Sequence, residues 1–137
     1  MSLTLYSVPT GSVDSIWDKV EKFLSAGLKA GKAEYNINQL RVFLESGQWD
    51  LIIAVDDKNV AQGASAISYI HYPNSCIAHV ASIGGRFIID DNTVSQFKDL
   101  LKGKGADRIQ GSVCKALERF YKRFGFERRA ILVEKML

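Results

Sequence analysis

Val113–Phe126, which reads VCKALERFYKRFGF, is the stretch from which the rest of the chain can be arranged. Leu117, Phe120, Tyr121 and Phe124 recur at i, i+3, i+4 and i+7, so they line one side of a 3.6-residue-per-turn helix. Arg119, Lys122 and Arg123 fill its second half, where cations offset the partial negative charge of a helix end. Gly125 stands where a left-handed closing residue is usual, and Phe126 can fold back onto the last turn. An apolar run, Ala130–Leu137, follows and reads as a closing strand. A tyrosine set late on such a stripe is the first residue to weigh for chemistry.

Working outward from that helix, Arg108–Val113 reads as a short strand leading into it. Before it, Asn92 can cap a helix from Thr93 to about Lys102, with Val94, Phe97, Leu100 and Leu101 on its inner side. Cys76–Ile83 reads as a buried strand stopped by Gly84, Gly85 and Arg86. Trp49–Val55 is nearly continuous apolar sequence, as in a strand covered on both faces. The turn Asp56–Asn59 and the extended run Val60–Tyr72 make it one arm of a hairpin. Gly63 in the second arm marks a bulge or the close approach of another backbone. The first third reads as a strand at Leu3–Val8, a helix from Val13 that fades at Gly27 and ends near Gly31, and a shorter helix at Asn38–Ser46. No repeat, linker or low-complexity tract interrupts this order. The passage from Cys76 to Val113 is long enough for a right-handed parallel crossover.

The 137 residues are 47% apolar and 24% charged, a balance that supports a packed core and excludes a disordered chain. No apolar run is long enough to cross a bilayer, and no cleavable secretion signal is evident, so a cytoplasmic location is expected. Cys76 and Cys114 make no disulfide framework and have no partner at metal spacing, which fits a reducing interior and no metal. The net charge of +3 is mild. It comes from Lys98–Arg108 and Lys115–Arg129, and it fits either a solvated surface or a site for an anionic ligand. Nucleic acid is not expected, because Phe120, Tyr121 and Phe124 share the apolar stripe and are not free for base stacking.

The Phe-Tyr helix closed by Gly-Phe and followed by a last strand resembles the C-terminal end of the GNAT acyl-CoA N-acyltransferases. The order β α α β β β α β α β is similar to theirs over nearly the full length. The resemblance implies an α+β, GNAT-like fold in one domain, residues 1–137, with a mixed, mostly antiparallel sheet flanked by helices. It implies acetyl-CoA as co-substrate, bound between Cys76–Ile83 and Arg108–Val113. The acceptor would be an amine of a small molecule or peptide, and a homodimer stays open.

Carried over residue by residue, Tyr121 matches the tyrosine beside the thioester sulfur. A phenol with a pKa near 10 is protonated at neutral pH and can give its proton to a departing thiolate. Ser82, Ile83, Gly84, Gly85 and Arg86 match the segment that receives the cofactor, where backbone N–H groups leading into a helix N-terminus form an anion site. Cys114 stands where many members place an Asn against the pantetheine arm.

Other readings of the same residues stand beside these. A tyrosine on an apolar stripe is otherwise a core residue bonded at its hydroxyl, and Gly-Gly after a strand is otherwise a turn. His79 and His71, on neighbouring strands, read as structural residues, and no general base is evident. The glycine loop departs from the family pattern, with Asp90 and Asp91 where a second glycine is usual. Carboxylates there repel a phosphate. This departure gives the alternative: a catalytically silent GNAT-fold protein serving in binding or assembly, similar to small GNAT-like chains of tailed bacteriophages, some of them virion parts.

Overall fold

The computed structural model describes residues 2–137. Five strands form one sheet in the order β1 (Thr4–Val8), β2 (Asp50–Val55), β3 (Ala61–Tyr72), β4 (Ser75–Gly85) and β5 (Arg108–Gly111). The first four are antiparallel neighbours, and β5 lies parallel to β4. Four helices cover the sheet: α1 (Val13–Ala30), α2 (Ile37–Glu45), α3 (Asp91–Gly103) and α4 (Lys115–Lys122). The sheet is therefore mixed and mostly antiparallel, and β4–α3–β5 is the parallel crossover that the spacing predicts.

Alternation along the strands divides the interior into two cores, because successive side chains point to opposite faces. On one face Ala64, Ala66 and Ala81 meet Val13, Trp17, Val20, Leu24 and Leu28 of α1 and Leu40 and Leu44 of α2. On the other, Ile52, Ile67 and Ala78 meet Phe87, Ile88, Phe97 and Leu101, and the aromatic stripe of α4 packs against that group. Gln96 of α3 reaches the outer edge of β1: its side chain accepts from the Leu5 N–H at 2.9 Å and donates to the Leu3 carbonyl at 3.0 Å. These two bonds occupy the start of that edge.

The sheet carries two irregularities. Ala54 and Val55 stand opposite Gly63 and Ala61, so Gln62 is an extra residue beside Gly63, where a bulge is expected. Val80 and Ser82 stand opposite Ile67 and Ala66, so Ala81 is an extra residue in β4. Such a bulge bends its strand and re-aims the residues after it.

Two expectations are corrected. Ala130–Leu137 forms no strand: Ile131, Leu132, Val133 and Met136 are exposed, and no ladder includes them. The cap of α3 is Asp90, not Asn92. Its carboxylate accepts from the Thr93 N–H at 2.8 Å, while the Thr93 hydroxyl accepts from the Asp90 N–H, the reciprocal pair of a capping box. Helix α1 runs to Ala30 with Gly31 as its C-cap, so its end lies near Gly31, where the sequence places it.

Candidate active site

The β4–β5 ladder stops at Val80↔Gly111, whereas β4 continues to Gly85. Past the bulge at Ala81, the edge of β4 that faces β5 has no strand partner among the described residues. A slot of about 330 Å³ opens along this stretch. Ile83, Gly84 and Gly85 form its strand side, Phe87 and Ile88 one end, Ala26, Gly27 and Ala30 of α1 one wall, and Leu117, Phe120 and Tyr121 of α4 the other.

Helix α1 can form that wall only because two glycines let its backbone touch the strand. A Cβ on Gly27 would lie 2.2 Å from the Ser82 Oγ, and one on Gly84 would lie 1.9 Å from the Phe23 carbonyl oxygen. Glycine in a helix interior costs about 1 kcal/mol relative to alanine. The contact made in return is a hydrogen bond from the Ser82 hydroxyl to the Leu24 carbonyl at 2.7 Å. Ser82 also accepts at its own carbonyl from the Ser65 hydroxyl at 2.9 Å. Ser82 thus fastens α1 to the sheet, and its side chain is buried.

Tyr121 is half-buried against Phe120, at 5.2 Å between ring centroids, and against Phe126, at 5.5 Å. Burial pushes its phenol above the usual tyrosine value. No hydrogen bond to its hydroxyl is present among the described residues, and no buried polar side-chain atom there lacks a partner. The hydroxyl is therefore a free donor reachable by solvent, unlike that of Tyr69, which donates to Asp50 at 2.7 Å and is also pushed up by burial.

The remaining expected residues are placed elsewhere. Arg86 is exposed and its N–H donates to the Gln62 carbonyl at 2.8 Å, so that donor is already used. Cys114 is exposed at the N-cap of α4, with no side-chain capping bond, and does not line the slot. His79 lies on the sheet face opposite Tyr121, in register with Ser68 and Gln110, and burial alone holds its imidazole below the usual value. His71 is exposed beyond it. Ile83, Gly84, Gly85 and Tyr121 are brought together; Ser82, Arg86 and Cys114 are not. The α1 wall was missed by sequence reasoning. Its signal is the spacing of Ala26, Gly27, Ala30 and Gly31, small residues on one side of the helix where it meets the strand.

The start of α3 is the other feature of the site. The N–H groups of Ile89 and Asp90 are both taken by the Thr93 hydroxyl, at 3.0 and 3.2 Å, and the Thr93 N–H by Asp90. A helix start whose donors are occupied by its own carboxylate is a poor receptor for another anion. Phe87 and Ile88, which line the slot, differ: no hydrogen bond from their N–H groups is present among the described residues.

A mixed sheet whose β4 runs unpaired beyond its parallel ladder, with a helix tyrosine beside the opening, fits the GNAT acyl-CoA N-acyltransferase fold. Solved structures agree with it. An aminoglycoside acetyltransferase, meta-AAC0020, from an uncultured soil metagenomic sample superposes with a TM-score of 0.69 at 11% identity, over 98% of this chain and 96% of that one. A second aminoglycoside acetyltransferase from such a sample, HMB0005, gives 0.66 at 16% identity over 100% and 99%. Glucosamine-6-phosphate N-acetyltransferase from Arabidopsis thaliana gives 0.64 at 11% identity over 99% of each. At these identities the likeness is one of fold. No protein-family model matches the sequence, and no curated protein does. No helix among the described residues is long and apolar enough to cross a membrane.

Proposed function

We propose that the protein is an N-acetyltransferase, one domain over residues 1–137, that takes its acyl group from acetyl-CoA. The observation that carries this reading is the Tyr121 hydroxyl, protonated, unbonded and set at a slot beside the unpaired edge of β4. An acyl-pantetheine arm fits this slot: it is narrow, largely apolar, and bordered by backbone amides able to pair with an extended amide chain. Acetyl-CoA supplies an acyl group activated as a thioester. Ile83–Gly85 hold the arm, α1 and α4 line it, and Tyr121 gives its proton to the departing sulfur as the C–S bond breaks and the C–N bond forms. The proton that the amine nitrogen sheds passes through solvent and restores the phenol. The acceptor is a small-molecule or peptide amine.

A second reading is favoured by the start of α3. Asp90 fills the position where the fold would receive a diphosphate, and Asp91 adds a second negative charge. A GNAT-fold protein that binds a partner without catalysis has no use for an anion site there. Fold alone does not choose between the two. Calorimetric titration with acetyl-CoA, followed by release of free thiol in the presence of a panel of amines, tests the first reading. Binding together with amine-dependent thiol release is the expected result. Absence of binding at millimolar acetyl-CoA leaves the second.

A further inference from the structure

Helix α4 carries Tyr121 and forms one wall of the slot, yet it is the least embedded of the four helices. Each of α1, α2 and α3 buries at least two residues, whereas none from Lys115 to Lys122 is buried. The apolar stripe of α4 is only partly buried against the core. Its N-cap, Cys114, makes no side-chain capping bond. A phenol that must meet a sulfur needs a firmer support than this, since a misplacement of about 1 Å can cost about 100-fold in rate.

That support comes from the residues that follow. The chain reverses at Gly125, where φ is +89°, and the Phe126 N–H donates to the Tyr121 carbonyl at 3.3 Å. The Phe126 ring lies 5.5 Å from the Tyr121 ring, at 67° to it. Two residues on, the Arg128 guanidinium donates to both carboxylate oxygens of Glu118, from Nε at 2.7 Å and from Nη2 at 2.6 Å. Glu118 and Tyr121 are three residues apart and so are neighbours on the helix surface. Residues 125–128 thus form a strap laid back over α4, with the Phe126 ring held against the phenol. An exposed ion pair is ordinarily worth little, but a planar fork that meets both oxygens fixes direction as well as distance.

We propose that Glu118 and Arg128 are positioning residues: their two-bond pair holds Phe126 on the Tyr121 ring and so fixes the phenol at the slot. Neither residue lines the slot or belongs to either core, so the pair reaches a ligand only through Tyr121. The catalytic consequence rests on the acetyltransferase reading; the positioning itself does not.

The test reads the Phe126–Tyr121 contact directly, as a nuclear Overhauser effect between the two rings in the full chain. The wild type is expected to show it. Glu118→Gln and Arg128→Gln, which remove the charged fork, are each expected to lose most of it while the amide spectrum of the sheet stays unchanged. In kinetics with acetyl-CoA and a reactive amine, Arg128→Gln is expected to lower kcat about 10-fold, with KM for acetyl-CoA nearly unchanged. Added to Tyr121→Phe it is expected to lower kcat no further, because residues that act through one group are not additive. A ring contact that persists in both variants overturns the proposal. So does a kcat that stays at the wild-type value once the contact is lost, or an Arg128→Gln effect undiminished in the Tyr121→Phe background. Loss of the whole fold in both variants also overturns it, since the pair would then be holding the domain rather than the phenol. A wild type inactive toward every amine, in which the ring contact still depends on the pair, sinks the acetyltransferase reading and leaves the positioning standing.

Discussion

Tyr121 was the residue most readable from sequence, because its position rests on a local period: Leu117, Phe120, Tyr121 and Phe124 had to share a side. What the period cannot give is the state of the hydroxyl. A free phenol held protonated by burial makes the role of proton donor specific enough to test. Tyr121→Phe is expected to lower turnover about 100-fold, the low end of what a general acid contributes, while calorimetry finds acetyl-CoA affinity nearly unchanged. Equal loss of both would assign the residue to packing. Ser82 illustrates the opposite case. It was matched to a segment whose backbone receives the cofactor; its hydroxyl is bonded to the Leu24 carbonyl, a partner far along the chain that no local pattern reveals. Beside it, Gly84→Ala must push the Phe23 backbone aside. It is expected to cost about 3 kcal/mol in urea unfolding, the upper end of ordinary overpacking. His79 adds a pH signature. Burial lowers its folded pKa, so the unfolded chain takes up the proton first, and stability is expected to fall as pH drops below about 6.5. Comparing wild type with His79→Gln between pH 7.5 and 5 by chemical denaturation checks this, and the variant should show the smaller loss.

Elements were legible wherever a single periodicity governed them: the hairpin, the crossover and the amphipathic faces of α1 and α3 all lie where the pattern places them. Their ends were less so. Asp90, Asp91 and Asn92 are three good capping residues in a row, and sequence alone does not choose among them. Thr93 decides it, because its hydroxyl lies three residues from Asp90 and returns a bond to the Asp90 N–H. The consequence reaches the site, since the helix start is then occupied by a carboxylate. Asp90→Asn separates the two roles of this residue. Asparagine caps about as well as aspartate but carries no charge. The variant is therefore expected to unfold at nearly the wild-type temperature and to bind acetyl-CoA several-fold more tightly in low salt, as read by calorimetry. Unchanged affinity would place the diphosphate away from α3. The run Ala130–Leu137 failed as a strand for a different reason: its composition is right, but strand pairing is a non-local matter, and no ladder among the described residues includes it.

At the scale of the molecule, the slot exists because three distant features coincide. The ladder to β5 stops at Gly111, a bulge at Ala81 interrupts β4 just beyond it, and Gly27 and Gly84 allow α1 to close the gap from the far side. None of these is a motif, so the sequence could point to the two strands but not to the wall between them. Because the slot is formed by both cores at once, a ligand seated in it bridges α1, β4 and α4 and should stabilise the folded chain as a unit. At a hundred times its dissociation constant, a ligand that binds only the folded state adds about 2.7 kcal/mol, a shift of several degrees in the melting temperature for a chain of this size. Acetyl-CoA and CoA are both expected to give it, and acetyl-pantetheine, which lacks the diphosphate, measures what the slot alone contributes. A similar shift per bound ligand for all three would mean that β4 and its walls do the holding, consistent with the capped start of α3. A shift from acetyl-CoA and none from acetyl-pantetheine would mean that charged groups outside the slot dominate. If wild type and Asp90→Asn both fail to respond at millimolar concentration, the slot is not an acyl-CoA site, and the fold serves as a scaffold for another partner.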